Sequence, residues 1–152
     1  MTGLLTVLGS GTSMGVPAIG CRCRVCLSQD ARDKRTRPSL LIQYGGHNVV
    51  IDTPPDFRFQ ALRAGLGRLD AVLFTHSHAD HILGLDDVRP FNIHQQREVE
   101  VYGNRKTIER IRHMFDYVFD GKYPFGGLPQ VKVNILEGPL ELFGVKFLPV
   151  PV

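Results

Sequence analysis

The feature that most constrains this chain is an apolar run, Leu69 to Phe74, followed at once by Thr75-His76-Ser77-His78-Ala79-Asp80-His81. The run reads as a buried strand. The motif then falls in the loop at a strand's end, where a rigid sheet can hold projecting groups. Folding alone does not call for three imidazoles and a carboxylate within six residues. They are the borderline and hard ligands that suit zinc, manganese or iron. His76 and His78 are two apart, so in an extended segment both point the same way and can reach one ion. Asp80 and His81 follow at the turn out of the loop and can face a second ion nearby. Two such ions can bridge a hydroxide and stabilise both the attacking and the leaving oxygen. A lone histidine here would read as a chance polar residue. The H-x-H-x-D-H spacing directly after a strand favours metal.

The three cysteines all lie within Cys21-Arg22-Cys23-Arg24-Val25-Cys26. An odd, tightly clustered set makes a poor disulfide framework and reads better as a metal knuckle. Three reduced loop thiols are the plainer alternative. Arg22 and Arg24 favour the thiolate form, which helps metal binding and also eases oxidation.

The remaining composition fits an ordinary soluble domain, with 43% hydrophobic and 22% charged residues in a chain of 152. No stretch is apolar enough for a membrane span, and Met1-Thr2-Gly3-Leu4-Leu5 lacks the basic n-region of a signal peptide. A cytoplasmic protein is expected. A net charge of +3 permits an anionic substrate but does not argue for a nucleic-acid partner, which calls for a clustered basic face.

Strands are expected at 4–8, 39–44, 48–52, 69–74, 98–102, 131–136, 140–143 and 145–150. Gly45-Gly46-His47 reads as a hairpin turn. A short helix and then a loop are expected within 28–37. A helix from Pro55 to about Ala64 would stop at Gly65. Asn104 reads as the N-cap of a helix to about Val118, with Ile108, Ile111, Phe115 and Val118 at helical spacing. Gly9 to Gly15 lacks a G-K-[ST] ending and reads as a tight turn rather than a phosphate cradle. Val88 to Asn92 reads as a loop near the metals. Asp86 and Asp87 read as structural carboxylates. Arg58 and Arg89 are candidate phosphate contacts, though a solvated or salt-bridged arginine is commoner. The pattern is one mixed α/β (α+β) domain over 1–152.

These motifs together resemble a known family. Thr75 to His81 matches the T-H-x-H-x-D-H signature of metallo-β-lactamase-fold hydrolases. Leu8-Gly9-Ser10-Gly11-Thr12-Ser13, the cysteine knuckle, Ile51-Asp52-Thr53 and Gly84 to Phe91 are similar to one subgroup, the phosphoribosyl cyclic phosphate phosphodiesterases of phosphonate breakdown. The tRNA 3′-processing endonucleases are more distantly similar. The resemblance implies an αββα sandwich, of which this chain would be the N-terminal portion. His76 and His78 would bind one metal, and Asp80 and His81 the second. Asp80 would also be catalytic, orienting the nucleophilic water. Asp52 would orient a ligand from behind, although a strand-end turn residue reads as well. Cys21, Cys23 and Cys26 would hold a structural zinc, with a histidine from a C-terminal part as fourth ligand.

The family supplies further ligands downstream, and a run like Pro149-Val150-Pro151-Val152 comes just before the first of them. Ligand counting reaches the same point, since two metals with about three protein ligands each need about six and the motif offers four. His47 reads as a turn residue, His113 as solvent-facing and His94 as ambiguous. The expectation is a chain truncated at its C-terminus with an incomplete site. The expected function is metal-dependent hydrolysis of a small or cyclic phosphodiester through a dinuclear-metal hydroxide. Zinc is expected at all three positions, with manganese as an alternative at the catalytic pair. Thioester or lactone hydrolysis is the second reading, and a non-catalytic metal-binding fragment the third. A substrate-binding set is not legible. Exposed apolar strand edges at the cut are expected to make the chain prone to aggregate or to pair with another chain, a homodimer being one such pairing.

Overall fold

The computed structural model describes residues 2–122 and 127–150. Six strands form the main sheet: β1 Gly3–Gly9, β2 Ser39–Tyr44, β3 His47–Ile51, β4 Ala71–Leu73, β5 Val99–Gly103 and β6 Val131–Ile135, in that spatial order. β1, β2 and β3 are antiparallel neighbours, while β3 to β6 run parallel. The change comes from the connections. Gly45 and Gly46, at φ 54° and 79°, make the tight β2–β3 turn, which two residues with positive φ permit. Each parallel step needs a crossover. Helix α1 (Phe57–Arg63) joins β3 to β4. Helices α2 (Ala79–Ile82) and α3 (Arg89–Gln95), with a 3₁₀ turn at Leu85–Val88 between them, join β4 to β5. Helices α4 (Arg105–Met114) and α5 (Asp116–Phe119) join β5 to β6.

The helices cover one face of the sheet. Leu8, Leu41, Val50, Val72 and Val101 from the strands pack with Phe57, Ile82, Leu85, Phe91, Ile108 and Ile111. A two-stranded hairpin, β7 Leu140–Leu142 and β8 Val145–Phe147, lies on the other face. It covers Tyr44, Val49, Ala71, Leu73 and Tyr102, and the Tyr44 hydroxyl donates to the Leu142 carbonyl at 3.0 Å. β4 is buried on both sides, which explains its unbroken apolar sequence. On the hairpin face, Leu5 and Val7 of the outermost strand remain 60% and 56% exposed, so the hairpin covers the sheet centre but not its first edge.

Several expectations are corrected. The helix from Asn104 is capped as expected, its side chain accepting from the Thr107 amide at 2.8 Å. It breaks at Phe115, whose φ of −116° and ψ of 41° separate α4 from α5. Val88 to Asn92 is helical rather than a loop, because Pro90 sits in the first turn of α3, where its missing N–H costs nothing. His47 opens β3 opposite Tyr44 and stacks on Phe143 at 3.9 Å between centroids; it is not a turn residue. The last strand stops at Phe147 rather than Val150, while Pro151 and Val152 lie outside the described residues.

Candidate metal centre

β3 and β4 are parallel neighbours, with Ile51 opposite Leu73. The segments leaving their C-terminal ends therefore emerge at the same edge of the sheet, where ligands bind in open parallel sheets. Asp52 comes directly after β3, and Thr75 to His81 comes after β4. This register brings together segments more than twenty residues apart.

Asp52 is 4% exposed and holds a left-handed backbone, φ 60°, a conformation Asp tolerates better than most residues. Its amide donates to the Leu73 carbonyl at 3.0 Å, and the next amide, Thr53, donates to the His81 carbonyl at 2.8 Å. The turn so formed aims the carboxylate at the histidine loop. Oδ1 accepts from the Thr75 amide at 2.8 Å. Oδ2 accepts from the Thr75 hydroxyl at 2.6 Å and from His81 Nδ1 at 2.7 Å. Asp52 thus bonds the histidine loop from behind as well as ending the strand.

His76 and His78 lie in the extended segment before α2, and His78 is its N-cap residue with φ −68° and ψ 151°. Their ring centroids are 4.7 Å apart. Asp80 and His81 stand in the short helix α2 that follows the loop, which turns His81 back toward His76. The His76 and His81 centroids are 3.9 Å apart, and His81 Nε2 is 3.4 Å from Asp80 Oδ2. Burial first, and then the neighbouring imidazoles of His81 and His78, push His76 below the ordinary imidazole value. A neutral imidazole is the form that ligates. The donor set of three imidazoles and one carboxylate suits zinc or manganese.

The cysteines converge. Cys21, Cys23 and Cys26 offer sulfurs all within 4.8 Å of one another. Tetrahedral thiolates around zinc, at Zn–S of about 2.3 Å, lie about 3.8 Å apart, so little closing movement is needed. The Cys26 amide donates to Cys23 Sγ at 3.4 Å. That backbone bond, followed by the Cys21 and Cys26 thiols, lowers Cys23 to about 7, toward the thiolate a metal requires.

The other candidates are placed elsewhere. His47 is at the opposite end of β3, and His94 and His113 are exposed on α3 and α4. Arg89 pairs with Asp86 at 2.9 Å and donates to the Gly127 carbonyl at 3.0 Å, so it is an engaged arginine rather than a free phosphate contact. Asp86 also accepts from the Tyr117 hydroxyl at 2.9 Å, the structural role expected of it. Burial first, then Asp86, raises the Asp87 carboxyl above its ordinary value. The guanidinium of Arg58 lies 5.7 Å over the Phe59 ring. Thr75 belongs to the site although sequence reasoning assigns it no role of its own. Its only signal there is a hydroxyl directly preceding the first histidine.

Residues 47–152 match the family described as the beta-lactamase superfamily domain. The chain belongs to that family. Its architecture is the metallo-β-lactamase fold. A crystal structure of a diphosphatase from the PhnP family superposes with a TM-score of 0.89 at 52% identity, covering 99% of this chain and 58% of that one. An octanoyltransferase of Porphyromonas gingivalis is 53% identical over 128 residues, which make 84% of this chain and 25% of that protein. Zinc-bound PqqB from Methylobacterium extorquens shares the fold at a TM-score of 0.69 and 22% identity, with 92% of this chain and 48% of that one covered. This member of the beta-lactamase superfamily thus spans a little over half of the solved diphosphatase and a quarter of the curated relative. No helix among its described residues is long and apolar enough to cross a membrane.

Proposed function

We propose that the protein carrying this segment is a metal-dependent phosphodiesterase acting on a small phosphodiester or diphosphate. The observation behind this is the joint placement of His76, His78, Asp80 and His81 at the end of β4, with Asp52 behind them. The 52% identity to a PhnP-family diphosphatase across nearly the whole chain favours phosphorus over carbonyl chemistry. His76 and His78 would hold one ion, and Asp80 and His81 the other. Bound there, the ions supply Lewis acidity that acidifies water and offsets charge on the phosphate oxygens. Asp80 orients the attacking water through its carboxylate. Asp52 holds the His81 ring so that Nε2 faces inward. Cys21, Cys23 and Cys26 would hold a structural zinc, which would tie down the excursion between β1 and β2.

The test compares bis(4-nitrophenyl) phosphate with a thioester, each with added zinc or manganese. Phosphodiester cleavage by the protein carrying this segment, lost in its His78→Ala variant, is the expected result. Thioester turnover without phosphodiester turnover contradicts it. Absence of both places this chain with the non-catalytic metal-binding reading.

A further inference from the structure

We infer that Thr75 is a positioning residue that passes the orientation of the Asp52 carboxylate on to His76, so that one buried carboxylate sets the proton position on two histidines. The inference rests on the reading of His76 and His81 as metal ligands. It concerns which ring nitrogen each presents.

An ionised carboxylate can only accept hydrogen bonds. At 2.7 Å from Asp52 Oδ2, His81 Nδ1 must therefore carry its proton, leaving Nε2 bare toward Asp80. The same rule applies to Thr75. Its hydroxyl lies 2.6 Å from Asp52 Oδ2 and has one proton, which goes to the carboxylate. The hydroxyl oxygen then has only lone pairs left. His76 Nδ1 lies 3.0 Å from that oxygen, so the bond between them forms only if Nδ1 is the donor. His76 too is left with Nε2 bare. The Thr75 hydroxyl is also 3.4 Å from His81 Nδ1, which places it between the two rings. The Thr75 amide, bonded to Asp52 Oδ1 at 2.8 Å, holds the hydroxyl in register. Asp52 reaches His81 directly and His76 only through Thr75. Ions bound at the two histidines, one at each, would find both Nε2 atoms already deprotonated.

Proton positions of this kind are assigned from partners, and nitrogen NMR of histidine-labelled protein measures them directly. The measurement is made without metal and above the histidine titration range, so it is independent of any hydrolase activity. The wild type is expected to show His76 and His81 both protonated at Nδ1. Thr75→Val removes the hydroxyl and keeps the shape. His76 should shift toward the Nε2–H form that free imidazole prefers, while His81 stays unchanged. Thr75→Ser should restore the wild-type pattern. Asp52→Asn presents an amide N–H where Oδ2 stood, so the hydrogen bonds reverse and both rings should move to Nε2–H. If Thr75→Val loses its dispersed spectrum, Thr75→Ala makes the same test. A wild-type His76 protonated at Nε2, or a folded hydroxyl-less variant with His76 unchanged, overturns the inference.

Discussion

Asp52 Oδ2 stands 2.7 Å from His81 Nδ1, joining the end of one parallel strand to the first helical turn after the next. The carboxylate is buried and also bound twice by Thr75. Removing its charge should loosen metal binding without removing a ligand. Asp52→Asn is expected to weaken zinc binding at the histidine motif by about 10–100-fold. Competition against a chromophoric chelator reads this. Affinity equal to wild type would separate Asp52 from the metal centre.

The same turn depends on a close backbone approach at Gly84. Its amide donates to the Thr53 carbonyl at 2.8 Å. An added methyl would collide with the Pro54 carbonyl oxygen and come within 2.9 Å of the Phe57 Cβ. Gly84→Ala should cost about 1–3 kcal/mol as overpacking and displace α2 from Asp52. Thermal denaturation reports the first effect and metal affinity the second. A stability unchanged from wild type would mean the loop yields freely.

At the other end of β4, Asp70 has a fully buried side chain that pairs with Arg68 at 2.8 Å and with Arg97 and accepts from the Asn48 amide at 2.8 Å. Burial alone would raise its carboxyl. Arg68, the Asn48 amide and Arg97 outweigh that and hold it below the usual carboxylate value. A folded value below the unfolded one stabilises the protein above the unfolded carboxylate range. That contribution is lost as pH falls through the lowered folded value. Denaturant titrations should therefore show wild-type stability falling on acidification. Asp70→Asn should be less stable by about 1–3 kcal/mol near neutrality and flatter in acid. An equal acid slope in both proteins would refute the assignment.

The cysteine knuckle should bind zinc separately from the histidines. Cys23→Ser is expected to lose one zinc per chain and to leave the Asp52-dependent binding in place. Zinc released on thiol modification, counted in wild type and variant, checks this; equal release from both contradicts it.

Much of this site is legible in the sequence because its signals are local. The H-x-H-x-D-H spacing names candidate ligands by itself, and Asn104 reads as a cap because its partner is three residues away. Asp52 is ambiguous in the sequence because its role depends on Ile51 pairing with Leu73, which no local pattern records. Asp70 hides inside an apolar run, and its partners Arg97 and Asn48 come from other elements. The break at Phe115 leaves no trace in the sequence since apolar spacing continues across it, and Val88 to Asn92 looks like a loop although Pro90 begins a helix there.

On the proposed function, Thr75 to His81 forms a metal centre distinct from the cysteines. Zinc per chain, measured by elemental analysis after equilibration and desalting in Cys23→Ser and in Cys23→Ser combined with His76→Ala and His78→Ala, tests it directly. Zinc should be retained in the first protein and lost from the second. The same zinc content in both would contradict it.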